Sequence, residues 1–249
     1  FHVEGEGYRK SGAITSVAGV PVPDFTRLAY GLSLDSDAVV QDDGSVIGDP
    51  TEAALVVLAA KLGVHAEETR RAYPRLAEVP FDSEYKFMAT FHRVPVDGVE
   101  HIIELVKGAP DVVLARCSHE GGPLSGSQVP IAEARAGIEA ANERMGESGL
   151  RVLAFAARLI QSDELQIMSD DPMSLTGDLS FVGMAGIIDP LRAEAKGAVR
   201  TALTAGIDVR MITGDHAVTA RAIGESLGLG PGAISGTELR TLSDSELGQ

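Results

Sequence analysis

The chain has 249 residues, 21 of them basic and 36 acidic, which gives a formal net charge of −15 at pH 7. So acidic a chain is a poor partner for nucleic acid or for an anionic membrane surface, because both require clustered basic side chains. A hydrophobic fraction of 44% is ordinary for a globular protein. The single cysteine, Cys117, excludes an internal disulfide and favours a reducing compartment. No stretch is apolar over the roughly 18–20 residues of a membrane span, so we expect a soluble chain without direct membrane contact.

Residues 1–40 are rich in Gly and Pro and are predicted to form loops and brief strands. A helix is predicted next, with Asp49 as its N-cap and Pro50 at its first position. Glu52 lies three residues after the cap, as in a capping box, and Gly63 is a natural helix stop.

Two extended runs, 86–94 and 99–107, flank an Asp97-Gly98 pair that is typical of a hairpin turn. Pro110 begins a predicted short helix, and apolar residues at helical spacing predict a longer helix over 131–148. These elements indicate a sheet with helices packed against it.

The next elements are a predicted strand over 151–160, a polar loop over 161–178 and a strand over 179–188. From there a helix (192–205), a strand (207–212) and a helix (217–227) alternate, as in parallel βα units. We therefore expect an α/β (α+β) chain in two parts. Residues 1–187 would form an antiparallel sheet with flanking helices, and residues 188–249 a partial, parallel β-α-β-α segment.

The sequence does not support three common types of site: a nucleophile elbow, a P-loop and a metal site. The G-x-S-x-G spelling at 224–228 ends a predicted helix, whereas a nucleophile elbow lies between a strand and a helix. No G-x-x-x-x-G-K-[ST] loop occurs, which excludes an ordinary P-loop. The histidines show no H-E-x-x-H spacing, and Cys117 with His119 supplies only two ligands, so no metal site is predicted.

Nucleotide binding without a P-loop needs an aromatic slot for the purine, an acceptor for its amine, and several cations for the phosphates. The candidates are Phe81, Glu52, Lys86, Lys107 and Arg151. Composition alone does not select these residues; the short motifs that contain them do.

Six such motifs occur in order over about residues 48–228, and together they resemble the cytoplasmic nucleotide-binding part of P-type cation-transporting ATPases, in the calcium- and sodium-pump-like branch. Gly48–Glu52 resembles GxPTE, Phe81–Met88 resembles FDSxRKxM, Lys107–Asp111 resembles KGAPE, Gly149–Ala154 resembles GLRVLA, Gly186–Arg192 resembles GxxDPxR, and Met211–His216 resembles MITGDH. One departure is that Tyr85 and Phe87 flank Lys86 where many relatives carry a basic residue.

The resemblance implies that residues 1–187 form a nucleotide-binding domain and residues 188–249 a partial phosphorylation domain of haloacid-dehalogenase-like (Rossmann-like) type. It also implies a role for each matched position. Phe81 would stack on adenine and Glu52 would accept a hydrogen bond from its amine. The rest of the pocket would be lined by Lys86, Lys107 and Gly108, with an apolar wall from Leu153 and a phosphate contact from Arg151. Asp189 and Arg192 would orient the nucleotide between domains, while Thr213, Gly214 and Asp215 would border the phosphorylation site.

The family phosphorylates an aspartate in a DKTGT motif and holds Mg²⁺ with a GDGxNDAP segment; neither motif occurs in this chain. We therefore expect a piece of a larger pump, at the cytoplasmic face of a membrane, with the plasma membrane favoured. Its partners would be ATP and the pump's transmembrane, actuator and remaining phosphorylation domains. The piece would bind ATP without turning it over, and most Mg²⁺ ligands would lie outside it.

Two other functions remain open at this point: a soluble haloacid-dehalogenase-type phosphatase, and a non-catalytic regulatory or interaction module. Plainer interpretations of the single residues also remain. Glu52 could serve only the capping box, Phe81 could belong to the core, Lys86 could be merely solvated, and Gly108 could be a turn residue with an unusual φ.

Overall fold

The computed structural model describes residues 1–5, 7–16, 19–96, 98–123, 128–188, 193–212, 217–230, 232 and 234. The chain divides into two compact units: residues 1–139 with 153–187, and residues 140–152 with 188–249. The assignment of 1–187 and 188–249 to a nucleotide-binding and a phosphorylation domain stays a prediction.

The described residues form both helices and strands. The helices are α1 (Thr26–Leu34), α2 (Pro50–Lys61), α3 (Ala66–Ala72), α4 (Pro110–Ala115), α5 (Ile131–Glu147), α6 (Leu165–Asp170), α7 (Ala193–Thr204) and α8 (Ala217–Leu227). The strands are β1 (His2–Val3), β2 (Ile14–Thr15), β3 (Val39–Val40), β4 (Val46–Ile47), β5 (Arg75–Val79), β6 (Phe87–Val96), β7 (Val99–Gly108), β8 (Cys117–Glu120), β9 (Val129–Pro130), β10 (Arg151–Ile160) and β11 (Leu179–Ile187). None of the helices formed by the described residues has the length and apolar character needed to cross a bilayer.

One seven-stranded sheet organises the first unit, in the order β5-β6-β7-β10-β11-β8-β9. The pairs β5-β6, β6-β7 and β7-β10 are antiparallel. Strand β8 is antiparallel to β9 but parallel to β11. The pairs β1-β2 and β3-β4 form separate two-stranded sheets. The predicted mixed α/β fold, with a large sheet and flanking helices, is confirmed.

The β6-β7 hairpin sets the register of the sheet. Val96 pairs with Val99, so the turn has two residues; Gly98 has φ +81°, as a hairpin glycine should, while Asp97 lies outside the described residues. The same register puts Met88 opposite Lys107, which in turn lies opposite Phe155 of β10. The start of β6, the end of β7 and the start of the paired part of β10 therefore meet at one end of the sheet.

Helices cover both faces of this sheet. Phe87, Phe91 and Val106 pack on one face with residues of α4 and α5, such as Val113 and Ile138. On the opposite face, Phe155 packs against Leu32 of α1 and Leu55 of α2. Each fully buried large apolar side chain contributes about 1.5–3 kcal/mol, so burial on both faces is the main stabilising term.

Helix α2 begins and ends as its sequence predicts. The Asp49 carboxylate accepts from the backbone N–H of Thr51 (2.8 Å) and Glu52 (3.2 Å), and Gly63 follows the helix with φ +85°. The Val64 N–H donates to the Ala59 carbonyl, which closes a Schellman motif. The reciprocal half of the capping box is absent, because the Glu52 carboxylate bonds elsewhere.

Two helices lie where loops were predicted. Helix α1 has no side-chain cap at Phe25 and no acidic residue in its first turn, but the Asp24 carboxylate accepts from the Thr26 N–H at 2.9 Å. Burial of Ala29 and Leu32 against α2 stabilises the helix further. The segment 161–178 forms α6 between two 3₁₀ turns, held by a capping box between Gln161 and Glu164 and by burial of Met168.

In the second unit α7 and α8 pack against each other, and Gly206 ends α7 with φ +76°. The strand predicted over 207–212 is wrong: these described residues form no strand, and Ile212 is 97% exposed. An extended segment becomes a strand only when a neighbouring strand pairs with it, and no described strand does so here.

Candidate functional site

Five of the predicted site residues come from segments at the same end of the large sheet. Lys107 and Gly108 end β7, and Lys86 directly precedes β6. Glu52 lies in the first turn of α2, above the sheet face that carries Lys107, as their ion pair shows. Phe81 belongs to the 80–86 loop that joins β5 to β6. The pairing of β6 with β7 thus gathers residues that are far apart in the sequence.

Lys107 is a buried cation with several partners. Its Nζ lies 2.9 Å from Glu52 Oε1 and 3.7 Å from Asp35 Oδ1, and it donates a hydrogen bond to the Asp35 carbonyl. The Sδ atom of Met88, its cross-strand neighbour, lies 3.1 Å away. Only 7% of the Lys107 side chain is exposed. A buried ammonium is tolerated only when paired in this way.

Glu52 is fixed at both carboxylate oxygens. Its Oε2 accepts from the backbone N–H of Asp37 (2.8 Å) and Ala38 (3.2 Å), while Oε1 faces Lys107. These bonds explain why Glu52 does not complete the capping box. Its side chain keeps 15% exposure, so Oε1, which has two lone pairs, can accept a further hydrogen bond from a ligand.

Asp35 is the residue that the sequence analysis missed. It is the C-cap of α1, its side chain is 2% exposed, and its Oδ1 accepts a hydrogen bond from the Thr90 hydroxyl at 3.2 Å. Burial raises the pKa of Asp35 to about 7, against the opposing effect of Lys107. The available signal was an acidic residue placed directly after the apolar run that contains Leu32 and Leu34.

Gly108 and Lys86 meet closely at the start of β6. A Cβ on Gly108 would lie 2.5 Å from the Lys86 carbonyl oxygen and 2.7 Å from Phe87 Cβ. The expected unusual φ belongs not to Gly108 but to Lys86, at +59°. The Lys86 N–H donates to the Asp82 carbonyl at 2.7 Å, and its own carbonyl accepts from Ala109 at 3.0 Å. Gly108 is therefore required for close backbone approach.

The side chains of the 80–86 loop differ in their surroundings. Phe81 is 62% exposed, which rules out a place in the core. Lys86 is also exposed, and in the described part of the chain its ammonium has no ion-pair or hydrogen-bond partner. Tyr85 and Phe87 pack on each other with ring centroids 4.9 Å apart, and Arg116 lies over the Phe87 ring at 4.4 Å. The loop thus presents one ring and one cation to solvent.

The remaining predicted residues are less closely placed. Leu153 is half-buried against the cluster that contains Leu32, Leu55 and Phe155, on the face that carries Lys107. Arg151 is the exposed first residue of β10 and belongs to the second compact unit, so its role stays a prediction. Asp189, Arg192, Thr213, Gly214 and Asp215 lie outside the described residues.

The structure gives little support to a reactive thiol, a metal site or a deep ligand cavity among the described residues. Burial raises the pKa of the Cys117 thiol to about 12, which makes it unreactive at neutral pH. Among the described residues, no three His, Cys, Asp or Glu side chains are grouped to hold a metal ion. An apolar cavity of about 70 Å³ lies between α1 and the sheet, and a polar groove of about 570 Å³ lies beside α3. Neither is lined by Phe81 or Lys86, so side-chain chemistry defines the candidate site, not a deep cavity.

Comparison with known proteins gives a consistent result. The family model of the P-type ATPase cytoplasmic domain N matches residues 26–194. The chain is 38% identical over 265 aligned residues to the cation-transporting ATPase pma1 of Synechocystis, covering 100% of this chain and 28% of that protein. It is 37% identical to calcium-transporting ATPase 1 of Lactococcus lactis (90% and 25% covered) and 36% identical to mouse calcium-transporting ATPase type 2C member 1 (99% and 26% covered). The chain thus spans about a quarter of the length of these curated relatives.

Proposed function

Because the chain belongs to the P-type ATPase cytoplasmic domain N family, we propose that it binds ATP for a membrane pump that couples ATP hydrolysis to cation transport. Phe81 stacks on the adenine, Glu52 accepts from the adenine amine, and Leu153 forms an apolar wall beside it. Lys86 and Arg151 attract the phosphates, and Lys107 and Gly108 form the bottom of the nucleotide pocket. The names of the relatives, which are cation and calcium pumps, support the pump; the ion carried by this protein is a separate question.

The contact between Lys107 Nζ and Glu52 Oε1, at 2.9 Å, carries this proposal. It joins the KGAP segment to the first turn of α2 and fixes a carboxylate whose side chain keeps 15% exposure. A carboxylate held by backbone N–H groups and an ammonium is pre-organised to recognise an amine, because it loses little entropy on binding. The exposed Phe81 ring and the unpartnered Lys86 ammonium add the purine and phosphate contacts that such a site requires.

The phosphoryl transfer itself would use parts that lie beyond the described residues. In the whole pump, the γ-phosphate would pass to an aspartate of a DKTGT motif, which this chain does not contain. Asp189, Arg192 and the segment 213–215 would orient the nucleotide toward that aspartate. Mg²⁺ would arrive bound to the phosphates. The site would then face the cytoplasm, with the plasma membrane as the favoured location and the other pump domains as partners.

Calorimetric titration of the chain with Mg·ATP tests the proposal. We expect a Kd of the order of 0.1–1 mM, because the cost of ordering the nucleotide offsets much of the gain from its contacts. Phe81→Ala should weaken ATP binding at least about tenfold, or about 1.4 kcal/mol, because the stacking surface is lost. Phe1→Ala removes another ring of similar exposure, 56%, and should leave the affinity unchanged.

Equal ATP affinity in Phe81→Ala and the wild type would remove Phe81 from the site. No binding and no thermal stabilisation by saturating ATP would instead favour an interaction module. Turnover of a simple phosphate monoester would favour the phosphatase.

A further inference from the structure

Lys107 is a buried ammonium group that lies between two carboxylates. Lys107 lies between Glu52 on α2 and Asp35 at the end of α1, with 2.9 Å and 3.7 Å from its Nζ to the nearest carboxylate oxygens. Its ammonium donates to the Asp35 carbonyl and to Met88 Sδ and lies 2.9 Å from Glu52 Oε1, while the Asp35 carboxylate is within ion-pair distance. Because the ammonium is both buried and fully engaged, it acts on Glu52 and does not reach out to phosphates.

Asp35 competes with Glu52 for this single cation. One ammonium between two carboxylates leaves one negative charge over, and that charge is best solvated where exposure and donors are greatest. Glu52 has 15% exposure and two backbone donors, whereas Asp35 Oδ2 is buried with no partner among the described residues. The excess charge therefore concentrates on Glu52, which strengthens Oε1 as a hydrogen-bond acceptor.

When Asp35 is protonated this balance changes. Lys107 then has only one anionic partner, Glu52, and neutralises it more completely. The Oε1 atom becomes a poorer acceptor for an incoming amine, although the backbone bonds of Glu52 to Asp37 and Ala38 stay in place.

We propose that Asp35 is a positioning residue for purine recognition, which acts through Lys107 to set the acceptor strength of Glu52 and hence the preference for a 6-amino purine. This inference rests on the proposed function, in which Glu52 accepts from the adenine amine. It adds a residue outside the six recognised motifs and makes base selectivity depend on pH.

The groups that face Asp35 set the pH at which the change occurs. The pKa of Asp35 is raised to about 7 as the net result of several effects. Burial and Glu52 raise this pKa, while Lys107, the Thr90 hydroxyl and Arg75 of β5 lower it. Glu104, on the other face of β7, also interacts electrostatically with Asp35. Asp35 therefore changes charge near neutral pH, where it can alter the site.

The test compares Mg·ATP with the Mg complex of purine riboside triphosphate, which has hydrogen in place of the 6-amine. Both affinities are measured by calorimetry on the full chain between about pH 6 and 8. Both ligands carry the same triphosphate, so the effect of phosphate protonation on the affinities cancels in their ratio. We expect the wild-type preference for ATP to rise at least about threefold across this range, as Asp35 ionises.

Asp35→Asn should hold the preference at its low-pH value throughout, because the neutral amide resembles the protonated acid. Asp42→Asn removes an exposed carboxylate that pairs with Lys10, and should behave like the wild type. A pH-dependent preference that persists unchanged in Asp35→Asn overturns the inference while leaving the proposed function intact. Failure of the wild type to bind ATP overturns both.

A second variant covers the case in which Asp35→Asn does not fold. Thr90→Val removes the hydrogen bond at 3.2 Å that stabilises ionised Asp35, so the midpoint of the pH dependence should move to higher pH. Far-ultraviolet circular dichroism verifies that the variant is folded. An unchanged midpoint in folded Thr90→Val contradicts the role of Asp35.

Discussion

Burial shifts the protonation of several single residues in the first unit. The Glu104 side chain is fully buried, its Oε2 lies 3.0 Å from Arg158 Nε, and its Oε1 has no partner among the described residues. Burial raises the pKa of Glu104 to about 8 even though Arg158 lowers it. Burial also lowers the pKa of His92 to about 4, since the imidazolium is the form penalised there.

These shifts predict how stability depends on pH. Glu104 has a higher pKa in the folded than in the unfolded chain, so its contribution is complete below about pH 4 and is lost as the pH rises through about 8. The neutral His92 contributes above its unfolded pKa, near 6.5, and loses that contribution as the pH falls through about 4. Of these two groups, only Glu104 therefore changes stability above about pH 6.5.

Glu104→Gln should flatten the pH dependence of the free energy of unfolding between about pH 6.5 and 8. The wild type should lose stability there with a slope of up to about 1.4 kcal/mol per pH unit from this group, and the variant should not. Urea unfolding at several pH values measures both slopes. Glu100→Gln, which replaces an exposed acid on the same strand, should keep the wild-type slope. Identical slopes in Glu104→Gln and the wild type would show that Glu104 is ionised in the fold.

The sequence analysis could propose single site residues only where a motif contained them. Glu52, Lys107 and Gly108 were all found through their motifs, and the structure brings Lys107 to within an ion-pair distance of Glu52. Asp35 escaped notice because its role depends on a contact across 72 positions, between the end of α1 and β7. Neither spacing nor composition reports such a contact.

At the scale of elements, the outcome follows the strength of the local signal. Helix α2 and the β6-β7 hairpin have caps, glycine stops and alternation, and both form as predicted. Helices α1 and α6 have weaker local signals, and much of their stability comes from burial against the rest of the unit, which their sequences do not report. The strand predicted over 207–212 fails for the opposite reason: its sequence is suitable, but no described strand pairs with it.

The junction of β6 and β7 supports a prediction on a single glycine. Gly108→Ala should destabilise the protein by about 1–3 kcal/mol, because the new Cβ would collide with the Lys86 carbonyl, which belongs to backbone and cannot rotate away. Thermal and urea unfolding measure the loss. Gly183→Ala in β11 is the matched control, since a Cβ there meets no atom within 4 Å. A loss no larger in Gly108→Ala than in Gly183→Ala would mean that the junction is not tightly packed.

At the scale of the whole molecule, the proposed nucleotide binding would work against the net charge. A net charge of −15 repels ATP at long range, so binding would depend on local cations such as the exposed Lys86. Lys107 contributes indirectly, because its charge is neutralised by carboxylates on two helices. We expect modest affinity from this arrangement.

The central claim is that residues scattered between Glu52 and Leu153 form one adenine-nucleotide site at one end of the sheet. Backbone amide chemical shifts of the isotope-labelled chain, measured by nuclear magnetic resonance with and without saturating Mg·ATP, test this claim most directly. We expect the largest changes at residues 37–38, 52, 81–86, 107–109 and 153. Largest changes in the polar groove beside α3, at 65–71, or no changes at saturating ATP, would contradict it.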